Sequence, residues 1–283
     1  MIRIVLLGRT GNHLFQYALG QVLSARHGVP LVLDGSWFDS RGWAEVSHFL
    51  KLPLKARVVR RAPLAMRALL RITGKHYWEY SGVPVIRERT DDLSFSPHVL
   101  DAPSDCLLFG YFQTPLYFNS IADAYRKELR QLLSDAVPVP PGMREKLADP
   151  ASVAVHVRRT DYLNHPDLMI CGKSYYRTAI ARLRDEVPGA KFMIFSDDPT
   201  WCREVFRDPD QEVAGIASAN PLHDLWLMSQ ASHHIIANST YSWWAAWIGD
   251  KPGQKVLMPG RWNAGAMRVP IGEKRLDHWV TVG

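Results

Sequence analysis

The sequence predicts an α/β protein made of two Rossmann-like halves that face one another across a cleft. Three observations predict it. Short apolar runs alternate with helical patterns through both halves, the mark of parallel sheets covered by helices. Residues 136–150 hold Pro138, Pro140, Pro141 and Pro150 and read as a linker. Three strand ends in the second half carry polar clusters, and open parallel sheets bind ligands beyond the carboxyl ends of their strands. The expected division is 1–140 and 141–283.

The first apolar run, residues 2–7, is a strand. Gly8-Arg9-Thr10-Gly11-Asn12 follows, then a helical pattern over 13–27 with Leu14, Tyr17, Ala18 and Val22 at three- and four-residue spacing. Gly28 stops that helix, and a second strand ends in Asp34. The glycine loop sets backbone N–H groups and a helix N-terminus where an anion fits, though a plain strand-to-helix turn explains the same residues. It matches neither a P-loop nor the dinucleotide G-x-G-x-x-G.

Residues 35–105 are the least legible. Trp37, Phe38 and Trp43 suit either sugar stacking or the core. Residues 51–75 carry eight basic side chains and no acidic one, against a net charge of +6 for the chain. The basicity is therefore local, which argues against a nucleic-acid partner. A short amphipathic helix around 63–71 suits an anionic membrane surface, and a solvated basic face is the plainer alternative. A strand over 107–111 leads through Phe112-Gln113-Thr114 into a helix over 119–133.

Past the linker, strands are expected at 153–157, 191–195, 234–237 and 255–258. Helices are expected at 174–187, 199–206, 222–231 and 241–249. The first strand ends in His156-Val157-Arg158-Arg159 with Asp161, the second in Ser196-Asp197-Asp198, and the third in Asn238-Ser239-Thr240 with Ser242. A guanidinium fork holds a phosphate through parallel hydrogen bonds. Hydroxyls at a helix N-terminus add further donors, and plain N-capping explains that triplet equally. The carboxylates suit the donor edge of guanine or ribose hydroxyls. Together these groups fit a nucleoside diphosphate, and two α/β halves around a cleft fit a nucleotide-sugar transferase. Arginines at the diphosphate would stabilise the departing charge without a metal.

No apolar run reaches the roughly eighteen residues of a spanning helix. No basic-apolar-small leader precedes the first strand, so no secretory signal is expected. Cys106, Cys171 and Cys202 form no C-x-x-C pair, which favours a reducing compartment and no thiolate metal site. The expected location is the cytoplasm, with peripheral contact at the inner membrane face through 51–75.

The motifs H-V-R-R-T-D-Y, F-S-D-D and D-L-W-L-M-S-Q-A-S-H-H-I-I-A-N-S-T-Y-S-W-W-A-A-W closely resemble glycosyltransferase family 11, the α-1,2-fucosyltransferases. G-x-x-G-N-x-x-F-Q-Y-A and G-Y-F-Q match the same family. The likeness covers about 1–30, 107–120 and 151–262, and H-V-R-R-T-D and G-R-T-G-N are also similar to α-1,6- and protein O-fucosyltransferases. The resemblance implies a GT-B fold, GDP-β-L-fucose as donor, no cofactor or metal, and inversion at C1. The implied product is an α-1,2-fucosyl linkage on galactose O2 of a glycan or lipid-linked saccharide. It further implies Arg158 on the β-phosphate, His156 at the guanosine end and Asp197 at the guanine. Ser239, Thr240 and Ser242 would take the diphosphate, with Ser196 and Asn238 beside them. Arg9 and Asn12 would face phosphates and fucose from the first domain, and Asp161 would orient the arginines. The three tryptophans Trp243, Trp244 and Trp247 are expected in the core. Arg9-Thr10, His13 and Thr160 depart from the family pattern, which touches acceptor and linkage more than donor. His13, Asp34, His48, Asp161 and His165 all remain candidate general bases. A transferase using another GDP-sugar is the alternative, and a basic-patch binding module a distant one.

Overall fold

The computed structural model describes residues 1–40, 48–60, 82–214 and 220–283. These separate into two compact units, Met1–Tyr125 and Arg126–Gly283. In the first unit β1 (Ile2–Val5), α1 (Thr10–His27) and β2 (Leu31–Asp34) form the expected strand–helix–strand unit. Gly28 ends α1 at φ 62°, and the N–H groups of Gly28 and Val29 donate to the carbonyls of Ala25 and Ser24. This is a Schellman cap, and glycine takes its left-handed conformation without steric penalty.

Three further strands, β3 (Arg57–Val59), β4 (Val85–Arg87) and β5 (Cys106–Phe109), complete a sheet in the order β3-β2-β1-β5-β4. Its pairings are all parallel. Strand order reverses between β1 and β5, so the carboxyl ends of those two strands flank the crevice where open sheets take ligands. Trp37 packs edge-on against Phe109 over Val5, Leu7 and Leu107, and Phe38 is buried, so both aromatics serve the core. Trp43, and the helix expected around 63–71, lie outside the described residues.

Helix α2 (Ala122–Ala136) contains the division between units. Tyr125 donates to the Leu14 carbonyl in the first unit. From Arg126 onward the helix belongs to the second unit. The expected boundary near residue 140 therefore moves to Tyr125/Arg126. The prolines expected to make a linker instead start α3 (Pro141–Ala148), with Pro141 in the first turn, where a missing N–H costs nothing.

The second unit continues with β6 (Ser152–Val157), α4 (Lys173–Glu186), β7 (Lys191–Ser196), α5 (Pro199–Val205) and β8 (Gln211–Val213). It ends with α6 (Pro221–Gln230), β9 (His233–Ile235), α7 (Thr240–Ile248), β10 (Val256–Pro259) and β11 (Trp279–Val282). The sheet order is β11-β10-β9-β6-β7-β8, with parallel pairings throughout. Counted from β6 as strand 1, that is the 3-2-1-4-5-6 order of a Rossmann sheet, and order reverses between β6 and β9.

Trp243, Trp244, Trp247 and Trp279 are buried together, with Trp243 and Trp244 centroids 4.9 Å apart. Their indoles hold α7 against the sheet. At the carboxyl end of α7, Arg126 Nε donates to the Trp247 carbonyl at 3.0 Å and Arg130 Nε to that of Ile248 at 2.8 Å. Two cations thus satisfy carbonyls that the helix leaves open and complement the negative end of its dipole. The two units are Rossmann-like α/β bodies, as the GT-B class requires. Among the described residues no helix is long and apolar enough to cross a membrane.

Candidate functional site

In the second unit the register of β6 with β7 sets Val157 opposite Ser196. The residues that follow, Arg158 and Asp197, consequently emerge side by side, with Arg158 at the end of β6, one of the two strands that flank the reversal of strand order. Arg158 Nη1 lies 3.0 Å from Asp197 Oδ2, and its Nη2 donates to Asp161 Oδ2 at 2.8 Å. Burial disfavours the guanidinium charge, but Asp161 and Asp197 outweigh it and raise the Arg158 pKa. Its side chain stays 18% exposed, enough to present the remaining donors to a ligand. Arg159 turns away from it. The Arg159 Nε pairs with Asp198 Oδ2 at 3.0 Å, and its guanidinium lies 4.5 Å from the Trp201 ring centroid. Asp198 also caps α5 by accepting from Trp201 N–H. The adjacent arginines thus divide into one that faces the crevice and one that braces the β7 end.

Asp197 is engaged on both oxygens. Oδ1 accepts from Arg159 N–H at 2.9 Å, and Oδ2 accepts from the Thr160 hydroxyl at 2.6 Å as well as pairing with Arg158. It holds Arg158 and the turn after β6. Ser196 Oγ accepts from Asp198 N–H, a turn contact of the same kind. Asn238 is 2% exposed and spends its amide hydrogens on the carbonyls of Leu168 and Trp262. Ser242 is buried, and its hydroxyl turns back to the Ala237 and Ser239 carbonyls. Both residues brace the loops around them. Ser239 caps α7 through Tyr241 N–H at 3.3 Å, and Thr240 opens the helix. The N-terminus of α7 thus aims backbone donors past Ser239 and Thr240.

His156 is enclosed, its ring 5.5 Å from that of Tyr241. Burial first, and the Arg158 charge second, pull its pKa down to about 3, so the imidazole is neutral. Nδ1 has no hydrogen-bond partner among the described residues.

One carboxylate here escapes a reading based on the strand ends. Asp224 sits in the first turn of α6, partly buried, and among the described residues its carboxylate meets only His223 Nδ1, at 3.5 Å. Burial pushes its pKa up to about 6, opposed by His223. It also bears on Tyr241, the ring that packs on His156. The visible signal was its place at the head of the 224–247 motif.

In the first unit the crevice is lined mostly by backbone and amides. Gly8 takes φ 72°, and a methyl there would overlap the Asn12 amide and approach Tyr111 Cε1 to 3.2 Å. Asn12 Oδ1 accepts from Gln113 Nε2 at 2.9 Å, which ties the β1 end to the β5 end. Buried Gln16 repeats the link by accepting from Leu7 N–H and donating to the Gly110 carbonyl. Arg9 is exposed at the N-cap of α1. Glu88, just past β4, accepts from the N–H groups of Tyr111 and Phe112 at 2.6 and 2.9 Å. Nothing in the sequence marked that role.

Of the candidate bases, His13 is fully buried between Phe38 and Phe49, with its pKa pulled down to about 3 by desolvation against a weaker effect of the Gly8 backbone. Asp34 is equally enclosed and accepts from Ser36 N–H. Neither meets solvent. His48 and Asp161 are partly exposed and His165 is exposed. Among the described residues no cluster of three or more His, Cys, Asp or Glu is placed to hold a metal.

The chain is 27% identical over 274 residues to an alpha-1,2-colitosyltransferase of Escherichia coli, spanning 91% of this chain and 90% of that protein. It is 26% identical over 310 residues to the O-antigen biosynthesis glycosyltransferase WbnK of Escherichia coli, spanning 98% and 99%. Among solved structures, fucosyltransferase NodZ from Bradyrhizobium is similar at 13% identity, with a TM-score of 0.47 over 86% of this chain and 91% of that one. The family model of glycosyl transferase family 11 matches residues 77–282, which is more than half the sequence and includes every strand end described in the second unit; the chain belongs to that family.

Proposed function

We propose that the protein is an inverting, metal-independent fucosyltransferase. It moves L-fucose from GDP-β-L-fucose to galactose O2 of a glycan or lipid-linked saccharide and makes an α-1,2 linkage. The observation that carries this reading is Arg158, held between Asp161 and Asp197 at the carboxyl end of β6, 5.9 Å from the ring of Tyr162, whose hydroxyl donates to the Asn238 carbonyl just ahead of α7. As the acceptor hydroxyl attacks C1, the bond from C1 to the β-phosphate oxygen breaks and that oxygen gains charge. A guanidinium and helix N–H groups fixed beforehand stabilise this charge without reorganising. The attacking hydroxyl gives up its proton to solvent or to a base, and His48, Asp161 and His165 stay open for that part.

Asp224 and neutral His156 suit the nucleoside. An ionised carboxylate accepts both N–H donors on the guanine edge, and Asp224 has that capacity where Asp197 does not. Arg9 and Asn12 serve the sugar side in the first unit, which takes the acceptor. Peripheral contact with an anionic membrane at the cytosolic face belongs to the same proposal. Its described support is the exposure of Lys51, Lys55, Arg57 and Arg60.

Transfer from GDP-fucose to a β-galactoside, followed by anomeric analysis of the product, tests the reading. Undiminished turnover in EDTA and an α-1,2 product are expected. A metal requirement or retention at C1 would sink it. A second reading, with another GDP-sugar as donor, is favoured by the identity to a protein named a colitosyltransferase. Colitose is fucose without its 3-hydroxyl. The ratio of kcat/KM for the two GDP-sugars separates the readings.

A further inference from the structure

Among the described residues Phe112 is the one non-glycine residue at positive φ, 53°, and it lies three residues beyond β5, at the crevice of the first unit. That conformation is strained for an L side chain. Two features hold it. The Phe112 ring is fully buried and meets Tyr117 edge-on at 5.7 Å. Glu88 accepts from two successive backbone N–H groups, those of Tyr111 and Phe112. A carboxylate that spans consecutive N–H groups makes two charge-assisted bonds and fixes the turn's direction.

The consequence falls on Tyr111. The backbone turn drives Phe112 inward and leaves the Tyr111 ring outward, 37% exposed. Its Cε1 lies over Gly8, where no side chain intervenes. A side chain at Gly8 would also meet the Asn12 amide. The result is an aromatic face on a rigid mount, at the carboxyl end of the sheet, across Gly8 from an amide.

We propose that Tyr111 is the acceptor-sugar platform of this enzyme, stacking on the C–H face of a galactose-type residue, and that Glu88 is the positioning residue that presents it. An axial O4 leaves one face of a β-galactoside lined by C–H groups, and such a face packs on an aromatic ring as apolar surface does. The sugar hydroxyls at the rim of that face meet donors such as Arg9 and Asn12. This inference rests on the reading of the protein as a glycosyltransferase with its acceptor in the first unit.

The test is steady-state kinetics with GDP-fucose and a β-galactoside, alongside GDP affinity by calorimetry and galactoside contact by saturation-transfer NMR. Tyr111→Ala should raise acceptor KM about tenfold, the equivalent of about 1.4 kcal/mol, with GDP affinity unchanged. Tyr111→Phe and Tyr111→Trp should keep the wild-type KM. Glu88→Gln should raise acceptor KM while leaving GDP affinity unchanged, because it keeps one acceptor oxygen and loses the charge. An unchanged acceptor KM in Tyr111→Ala overturns the platform, and so does a loss of GDP affinity in that variant. A wild-type protein that neither binds GDP nor transfers fucose would sink the parent reading. In that case, loss of galactoside saturation transfer in Tyr111→Ala would still support the platform, and its retention would overturn it.

Discussion

The two units solve one topological problem with different chemistry. Each sheet reverses its strand order once, and each reversal opens a crevice at the carboxyl ends of two parallel strands. In the second unit, charged side chains fill that edge: Arg158 between two carboxylates, Asp224 on α6 and a helix N-terminus. In the first unit, backbone turns and side-chain amides shape it: Gly8, the Asn12–Gln113 pair, Gln16 and a carboxylate spent on the Tyr111 turn. The first arrangement suits a dianion that gains charge as a bond breaks. The second suits a neutral polyol, for which shape and hydrogen-bond direction count more than field.

The largest expected effect is at Arg158. Arg158→Ala should lower kcat with GDP-fucose by about a hundredfold or more, the scale of losing one preorganised charge donor. Arg158→Lys should fall between, since it keeps a charge and loses the fork. Calorimetry and circular dichroism will separate lost ligand affinity from lost structure. Wild-type turnover in Arg158→Ala would end the contrast between the units.

Next in size is Asp224. Its ionised form is the one that accepts from guanine, so GDP affinity should fall as pH drops through about 6. Asp224→Asn should weaken GDP about tenfold and flatten that dependence. On stability the sign is opposite. A carboxyl whose folded pKa is raised above the ordinary 3.8 contributes most below that value, and the contribution is lost as pH rises through about 6. Titration of GDP affinity between pH 5 and 8 with both proteins checks this; a wild-type profile without a step near 6 would remove Asp224 from the site.

In the first unit, Gly8→Ala should cost about 2 kcal/mol of stability, from left-handed strain and the displaced Asn12 amide. Thermal unfolding would read it as a shift of several degrees. The smallest effect belongs to Ser242. Ser242→Ala removes a hydroxyl that, among the described residues, donates to the Ala237 and Ser239 carbonyls in the turn between β9 and α7, so kcat and GDP affinity should stay within about twofold. A large loss there would show that the hydroxyl turns outward to a phosphate.

Legibility followed burial. β1, β2, β5, β6, β7, β9 and β10 are the interior strands of the two sheets, and each lies in a mostly apolar run; β9 shows through Ile235-Ile236-Ala237, since its first two residues are histidines. The four strands that escaped, β3, β4, β8 and β11, are the edges of the two sheets. Gln211–Val213 and Arg57–Val59 are short and partly exposed, and nothing in three such residues distinguishes a strand from a loop. The helix Pro141–Ala148 was hidden because proline opens helices as readily as it interrupts them.

Sequence by itself determined the two α/β units and the polar clusters at their strand ends, because periodicity and residue type are local properties. Tertiary structure alone decided which polar side chains remain for a ligand. Asp197, Asn238 and Ser242 have the right chemistry and the right place in the chain, yet their hydrogen bonds are spent within the fold. Asp224 keeps only a long 3.5 Å contact with His223 Nδ1 among the described residues. A hydrogen-bond partner can lie dozens of residues away, as Asp197 does from Arg159 and Thr160, and only folding brings it within reach.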